Sequence, residues 1–223
     1  MYNIYPTLLD SFIYMKRHDE DEGAFQQLID KINGVKSTDV EQANKGIEFE
    51  RLVNGLIDGI SIDTNLTKES FCYVTENFKF GVDITNRIVE KLKRATKKQE
   101  YIEAIIHTNL DTIKLYGIVD YSFPEMDADL KTGKNYRFGK YDNYTQHKVY
   151  SLIRKVNGNP IKQFNYVATD FKHLFIETKD ITEEVHEELL EEIQSFIRFL
   201  IHFKHLITDR KVFGEQITIK TLK

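Results

Sequence analysis

Two runs rich in β-branched and aromatic residues, 101–108 and 112–123, are separated only by Asn109-Leu110-Asp111. Such residues favour strands, and a link this short is a tight connection between them. Pro124-Glu125-Met126-Asp127 then reads as a turn that folds a further strand, 128–132, back beside the second run. A later stretch, 161–178, is strand-like again, with a turn near Thr169-Asp170. Helical patterns bracket these strands. Residues 6–17 place Leu8, Leu9, Phe12 and Ile13 on one face, and 24–33 form a second helix. Ser37, Thr38 or Asp39 can cap a third, running to about Ile60, whose apolar stripe includes Ile47, Leu52, Val53, Leu56 and Ile57. Gly46 inside that stripe costs about 1 kcal/mol against alanine, so either a neighbour packs closely there or the helix begins nearby. Residues 84–98 read as a basic helix. Asp142 or Asn143 caps another to Val156, and a last one runs from Asp180 to about Ile207. This order predicts a mixed α/β core with helices on both faces of a central sheet.

The chain of 223 residues fits one domain, and its three prolines and eleven glycines mark no linker. Hydrophobic residues at 41% and charged residues at 30% argue for a soluble globular protein rather than extensive disorder. The single Cys72 excludes an internal disulfide or a multi-cysteine metal site and suits a reducing cytosol. No apolar run reaches the roughly 18 residues that span a bilayer, and the N-terminus lacks the pattern of a secretion signal. A net charge of −4 does not advertise a nucleic-acid binder. The cations are nonetheless clustered, in 87–98 and in 131–148, while the acids gather at 19–22 and 183–192. Such a chain can present a basic groove.

Residues two apart on a strand share a face, so Asp129 and Lys131 point the same way while Leu130 points to the core. The Leu130 carbonyl is a candidate neutral ligand. Asp120 lies in Leu-Tyr-Gly-Ile-Val-Asp-Tyr, where a buried side chain is expected, and the turn at 124–127 brings it near Asp129. Two carboxylates that close raise each other's pKa unless a cation lies between them, and hard oxygen ligands suit Mg2+ or Mn2+. Gln146 and Tyr150, one helical turn apart, can present an amide and a phenol to a phosphate. On the early helix Glu48 and Glu50 diverge, so only one can face the metal, and Glu50 sits at the edge of the apolar stripe. Glu177-Thr178-Lys179 with Asp170 repeats the acid and lysine pattern, but the acidic face at 183–192 would repel a phosphate backbone. His107 is expected to be a hydrogen-bonded core residue, and His147 lies beside the proposed groove.

A glycine and Glu50 on an early helix, then Asp120, Asp129-Leu130-Lys131 and Gln146-x-x-x-Tyr150, is an order that resembles the PD-(D/E)XK nuclease superfamily. Within it the chain is most similar to the RecB-type, lambda-exonuclease-like branch. Lys131-Thr132-Gly133-Lys134 and Tyr5-Pro-Thr-Leu-Leu-Asp-Ser-Phe12 add to the likeness, which spans about residues 5–150. The resemblance implies a restriction-endonuclease-like core at about 40–180 with a closing helix at about 181–207, and a metal-dependent DNA nuclease, with exonuclease favoured over endonuclease action and the choice left open. It assigns Glu50, Asp120, Asp129 and the Leu130 carbonyl to the metal. Lys131 would orient or help deprotonate the attacking water and stabilise the developing charge, and Gln146 and Tyr150 would position DNA. Mg2+ is the implied cofactor, with Mn2+ as substitute; the one cysteine excludes the iron–sulfur variant. DNA is the expected partner, in recombination, repair or phage DNA processing, with no membrane; related enzymes form rings around DNA. The alternatives are an inactive nuclease-fold nucleic-acid binder and a protein-interaction module using the acidic helix.

Overall fold

The hairpin of 101–123 is the spine of the sheet in the computed structural model, which describes residues 1–18, 20–35, 41–60, 64–67, 70–108 and 111–214. The candidate caps Ser37, Thr38 and Asp39 and the Asn109-Leu110 connection lie outside the described residues. In chain order the elements are β1 (Tyr2–Ile4), α1 (Pro6–Arg17), α2 (Glu22–Ile32), α3 (Glu41–Ile57), β2 (Thr64–Thr67), β3 (Ser70–Val74), β4 (Lys79–Gly81) and α4 (Val82–Leu92). There follow β5 (Lys97–His107), β6 (Thr112–Ser122), β7 (Met126–Thr132), α5 (Gln146–Val156), β8 (Gln163–Thr169), β9 (Leu174–Asp180) and α6 (Glu183–His202).

The fold is α/β, with a mixed six-stranded sheet flanked by helices. β5 covers one edge of β6 along its length, antiparallel. The other edge is shared. β1 runs parallel to Ile113–Leu115, while β7 pairs antiparallel only at Tyr121 and Ser122. Between those pairings, residues 116–120 of β6 have no strand neighbour on that edge among the described residues. An unpaired backbone carbonyl in a sheet needs a donor, and the Tyr150 hydroxyl supplies one to Ile118 O at 2.9 Å. The sheet continues through β8, parallel to β7, to β9.

Two apolar layers sandwich the sheet. On one face α1, α2, α5 and α6 bury Leu9, Phe12, Ile153, Phe196 and Leu200 against Val119, Phe164 and Tyr166. On the other, α3 and α4 bury Phe49, Leu52, Val53 and Ile88 against Tyr121, Ala128, Leu130 and Val167. A second, three-stranded sheet, β2-β3-β4, leads into α4. Its short strands and β1 have no counterpart in the sequence expectations. Among the described residues no helix is long and apolar enough to cross a membrane.

Several boundaries differ from expectation, among them the start of β7 at Met126 and the end of α3 at Ile57. The basic helix stops at Leu92, and Lys97 and Lys98 open β5, because pairing with Ser122 and Tyr121 draws them into the sheet. α5 begins at Gln146 with Thr145 as its N-cap, not Asp142 or Asn143. Asp10 of α1 reaches across to accept from the Thr145 backbone N–H at 2.7 Å, replacing a local cap. α6 is preceded by Thr182 and ends at His202, before a short 3-10 turn at Lys204–Leu206.

Candidate active site

Strand alternation breaks at Asp120, and the break builds half of the site. Val119 belongs to the α5 layer, so Tyr121 should as well; instead it packs with Phe49 and Leu52 on the α3 side. β5 makes the matching move. Glu100 reaches Arg154 of α5, whereas Lys98 bonds to Asn54 O (3.2 Å) and Asp58 of α3. The hinge is Gln99, a non-glycine residue at φ +50°, a conformation that L residues rarely adopt without structural compensation. Its amide donates both to Glu50 Oε1 and, at 3.3 Å, to Asp120 Oδ1. The other Asp120 oxygen accepts from Leu130 N at 3.0 Å. Asp120 therefore stands in the gap where β6 and β7 part.

Glu50 arrives on α3, which runs close over β7. A Cβ on Gly46 would lie 2.8 Å from Thr132 Oγ1, so the glycine marks a tight helix–strand contact, one of the two outcomes anticipated for it. Glu48 turns the other way, accepting from Thr75 Oγ1 (2.6 Å) and from Asn77. Only Glu50 joins the site.

The second half lies on the α5 side of β7. Asp129, 3% exposed, and Lys131 do share a direction, with the ammonium 2.7 Å from Asp129 Oδ2. Gln146 joins them: its carbonyl accepts from Lys131 Nζ at 2.9 Å and its amide donates to Asp129 Oδ1. Asp129 Oδ2 is buried, and the Lys131 ammonium is its close partner. Tyr150, a turn further along, closes the gap in β6 as described. Leu130 packs its side chain into the α3 layer, as the alternation predicts. It also lines, with Glu50, Lys45 and Lys134, a cavity of about 400 Å³.

The two halves sense each other electrostatically. Burial, then the charges of Asp129 and Glu50, push the Asp120 carboxyl up to about 8. Burial and Asp129 also raise Glu50, against Lys131 and Gln99. Burial alone would lower Lys131, but the charge and hydrogen bond of Asp129 outweigh it and hold the ammonium charged. Among the described residues no three His, Cys, Asp or Glu side chains already surround one point as a metal cage. The donor chemistry still suits a hard divalent cation: carboxylates that repel one another, set in a partly buried site.

Other candidates have structural partners. Lys179 lies 3.2 Å from Glu177 and also bonds Asp142, while Asp170 caps its own turn through the Lys172 and His173 N–H groups. His107 is exposed rather than in the core, its Nδ1 3.0 Å from Thr112 Oγ1. His147 is buried against Tyr166 (Nδ1 to the hydroxyl, 3.0 Å), so it does not face a groove; burial, with Lys148 and Lys179 nearby, lowers it to about 3 and keeps it neutral. Three contributors escaped sequence reasoning. Asp10 carried no signal and Gln99 only its place opposite Asp120. Arg154 was legible as the next step of the Gln146, Tyr150 spacing.

No protein-family profile matches this chain, and no curated protein matches it. Among solved structures, one titled "Crystal structure of SSO0001" is similar at 12% identity, covering 87% of this chain and 76% of that one, with a TM-score of 0.48. A likeness at that level carries no functional conclusion.

Proposed function

We propose that the protein is a metal-dependent DNA nuclease of the PD-(D/E)XK type. One observation carries the reading: Glu50, Asp120, Asp129 and Lys131, from three separate elements, meet in a site crowded enough to push Asp120 to about 8. A carboxylate cluster of that kind is costly to keep unless it binds a cation or does chemistry. Glu50, Asp120, Asp129 and the Leu130 carbonyl would hold Mg2+ or Mn2+, which supplies Lewis-acid polarisation of a phosphate and a more acidic bound water. Asp129 favours the charged form of Lys131, and as an ammonium it would orient water and offset negative charge developing on the phosphorane. Gln146 fixes both Asp129 and Lys131, and Tyr150 holds the β6 edge that carries Asp120. Exonuclease action, and a place in recombination, repair or phage DNA processing, extend the proposal.

The test is cleavage of linear, circular and single-stranded DNA with Mg2+ or Mn2+. Wild-type protein should cut, and Asp129→Asn and Lys131→Met should not while keeping the wild-type circular dichroism. Cleavage by either variant at the wild-type rate would overturn the site assignment. An inactive nuclease-fold binder is the second reading, favoured by the amides of Gln99 and Gln146 that already occupy the carboxylates. Calorimetric titration with Mn2+ separates the two, since the inactive form takes up no metal at this site.

A further inference from the structure

Next to Lys131 and Gln146 opens a second cavity, of about 580 Å³, walled mainly by apolar surface. That volume is typical of a site for a small organic group. Its aromatic wall comes from Tyr5, Tyr101 and Tyr116. The Tyr5 and Tyr116 rings lie 5.6 Å apart, tilted by 53°. Tyr101 pairs with Ile118 and Glu103 with Tyr116, so alternation puts both tyrosines on one face of the β5–β6 hairpin. Tyr101 is 55% exposed and Ile118 49%, so this face of the hairpin leaves apolar surface open. Lys31, Lys131 and Lys211 line the cavity together with Asp209, while Glu103 accepts from the Tyr101 hydroxyl beside it and Lys131 is paired with Asp129. The cavity lies where residues 116–120 of β6 have no strand neighbour on that edge among the described residues, and Gly117, lacking a Cβ, lets the Tyr150 ring approach the backbone closely.

Aromatic faces interleaved with lysines match the two parts of an unpaired nucleotide, a base that stacks and a phosphate that carries charge. A duplex cannot offer its bases to a recess without unstacking them first. The cavity shares Lys131 with the candidate active site, so its occupant is chemically continuous with whatever phosphate lies there. We propose that this tyrosine-walled cavity takes the base of a nucleotide adjoining the phosphate at Lys131, which makes single-stranded DNA the substrate class. The proposal rests on the nuclease reading for its geometry, but its test does not need catalysis.

The experiment is fluorescence anisotropy in EDTA with the full chain and three labelled probes: an oligothymidylate, an abasic strand of equal length, and a blunt hairpin duplex. The oligothymidylate should bind more tightly than both others. Tyr116→Leu and Tyr101→Leu should each weaken it about tenfold and leave duplex binding unchanged, while Tyr116→Phe restores wild-type affinity. Tyr101 is exposed, so its variant keeps the test informative if Tyr116→Leu misfolds. Equal affinity for the abasic strand, or wild-type affinity in both leucine variants, would overturn the stacking cavity. Tyrosine-dependent binding without Mg2+-dependent cleavage would sink the nuclease reading and leave the cavity standing. Cleavage with no tyrosine dependence would do the reverse.

Discussion

At Gly117 an added Cβ would sit 2.4 Å from Tyr150 Cε1 and 2.7 Å from its hydroxyl. Nothing flexible can give way there, because the ring is buried and its hydroxyl is engaged with Ile118 O at 2.9 Å. Gly117→Ala should therefore destabilise the fold by about 1–3 kcal/mol, the usual cost of overpacking, read as a lower urea midpoint at unchanged slope. An unchanged midpoint would mean that Tyr150 is not seated as described. A second residue-scale effect concerns pH. Asp120 titrates near 8 in the fold against an ordinary 3.8, so between those values the folded state binds more protons than the unfolded one. Stability of the metal-free protein should accordingly fall as pH rises through that window. Asp120→Asn should flatten the fall, and Mg2+ should raise the melting temperature most at the alkaline end, where the carboxylates are bare. Identical pH profiles for wild type and Asp120→Asn would remove Asp120 as the protonated group.

One helix face serves both the candidate site and the anchoring of α5, because Gln146, Tyr150 and Arg154 succeed one another at one-turn spacing. Arg154 Nε donates to Asp127 at 2.9 Å, and its Nη2 donates to Glu100 at 2.6 Å and to Ser122 at 2.7 Å, tying the helix to three strands at once. Removing the guanidinium leaves the fully buried Asp127 without its cation, while Glu100 keeps Lys97 and Ser122, so Arg154→Met should cost about 3–5 kcal/mol in chemical denaturation. Burial alone would raise Glu100, but Arg154, Lys97 and Ser122 bring it down to about 2. Its contribution is present above the ordinary 4.5 and lost as pH falls toward 2, so Glu100→Gln should flatten the acid limb of the stability curve. A steep acid limb in that variant would assign it to other carboxylates. The Gln146 and Tyr150 pair was legible from spacing alone, and so were α1, α2 and the hairpin, where periodicity and burial agree. Gln99 was not, since a left-handed residue that reverses two strands at once follows from long-range pairing and leaves no local pattern. Nor was the split edge of β6, which depends on where β1, a three-residue strand at the far end of the chain, docks.

Across the whole molecule the net charge of −4 is arranged so that many acids are spent internally. Glu183, Glu188 and Glu192 of α6 pair with Lys155, Lys148 and Lys16, which blunts the acidic helix expected to repel DNA or to recruit a protein partner. The cavity beside Glu50 is lined by Lys45 and Lys134; neither has an ion-pair partner among the described residues, and Lys45 Nζ lies 4.2 Å from the centre of the Phe171 ring. Lys91, on α4, lines a different cavity, which none of Glu50, Asp120 and Asp129 lines. Each phosphate neutralised by a cation adds about 0.7 to the slope of log affinity against log salt for a single strand. Lys134→Gln and Lys45→Gln should each lower that slope by about this amount in metal-free binding, while Lys91→Gln leaves it unchanged. The opposite ranking would move the phosphate track onto the basic helix and away from the cavity beside Glu50. Because the slope counts displaced counterions rather than total affinity, it separates a lost phosphate contact from a general loss of folding.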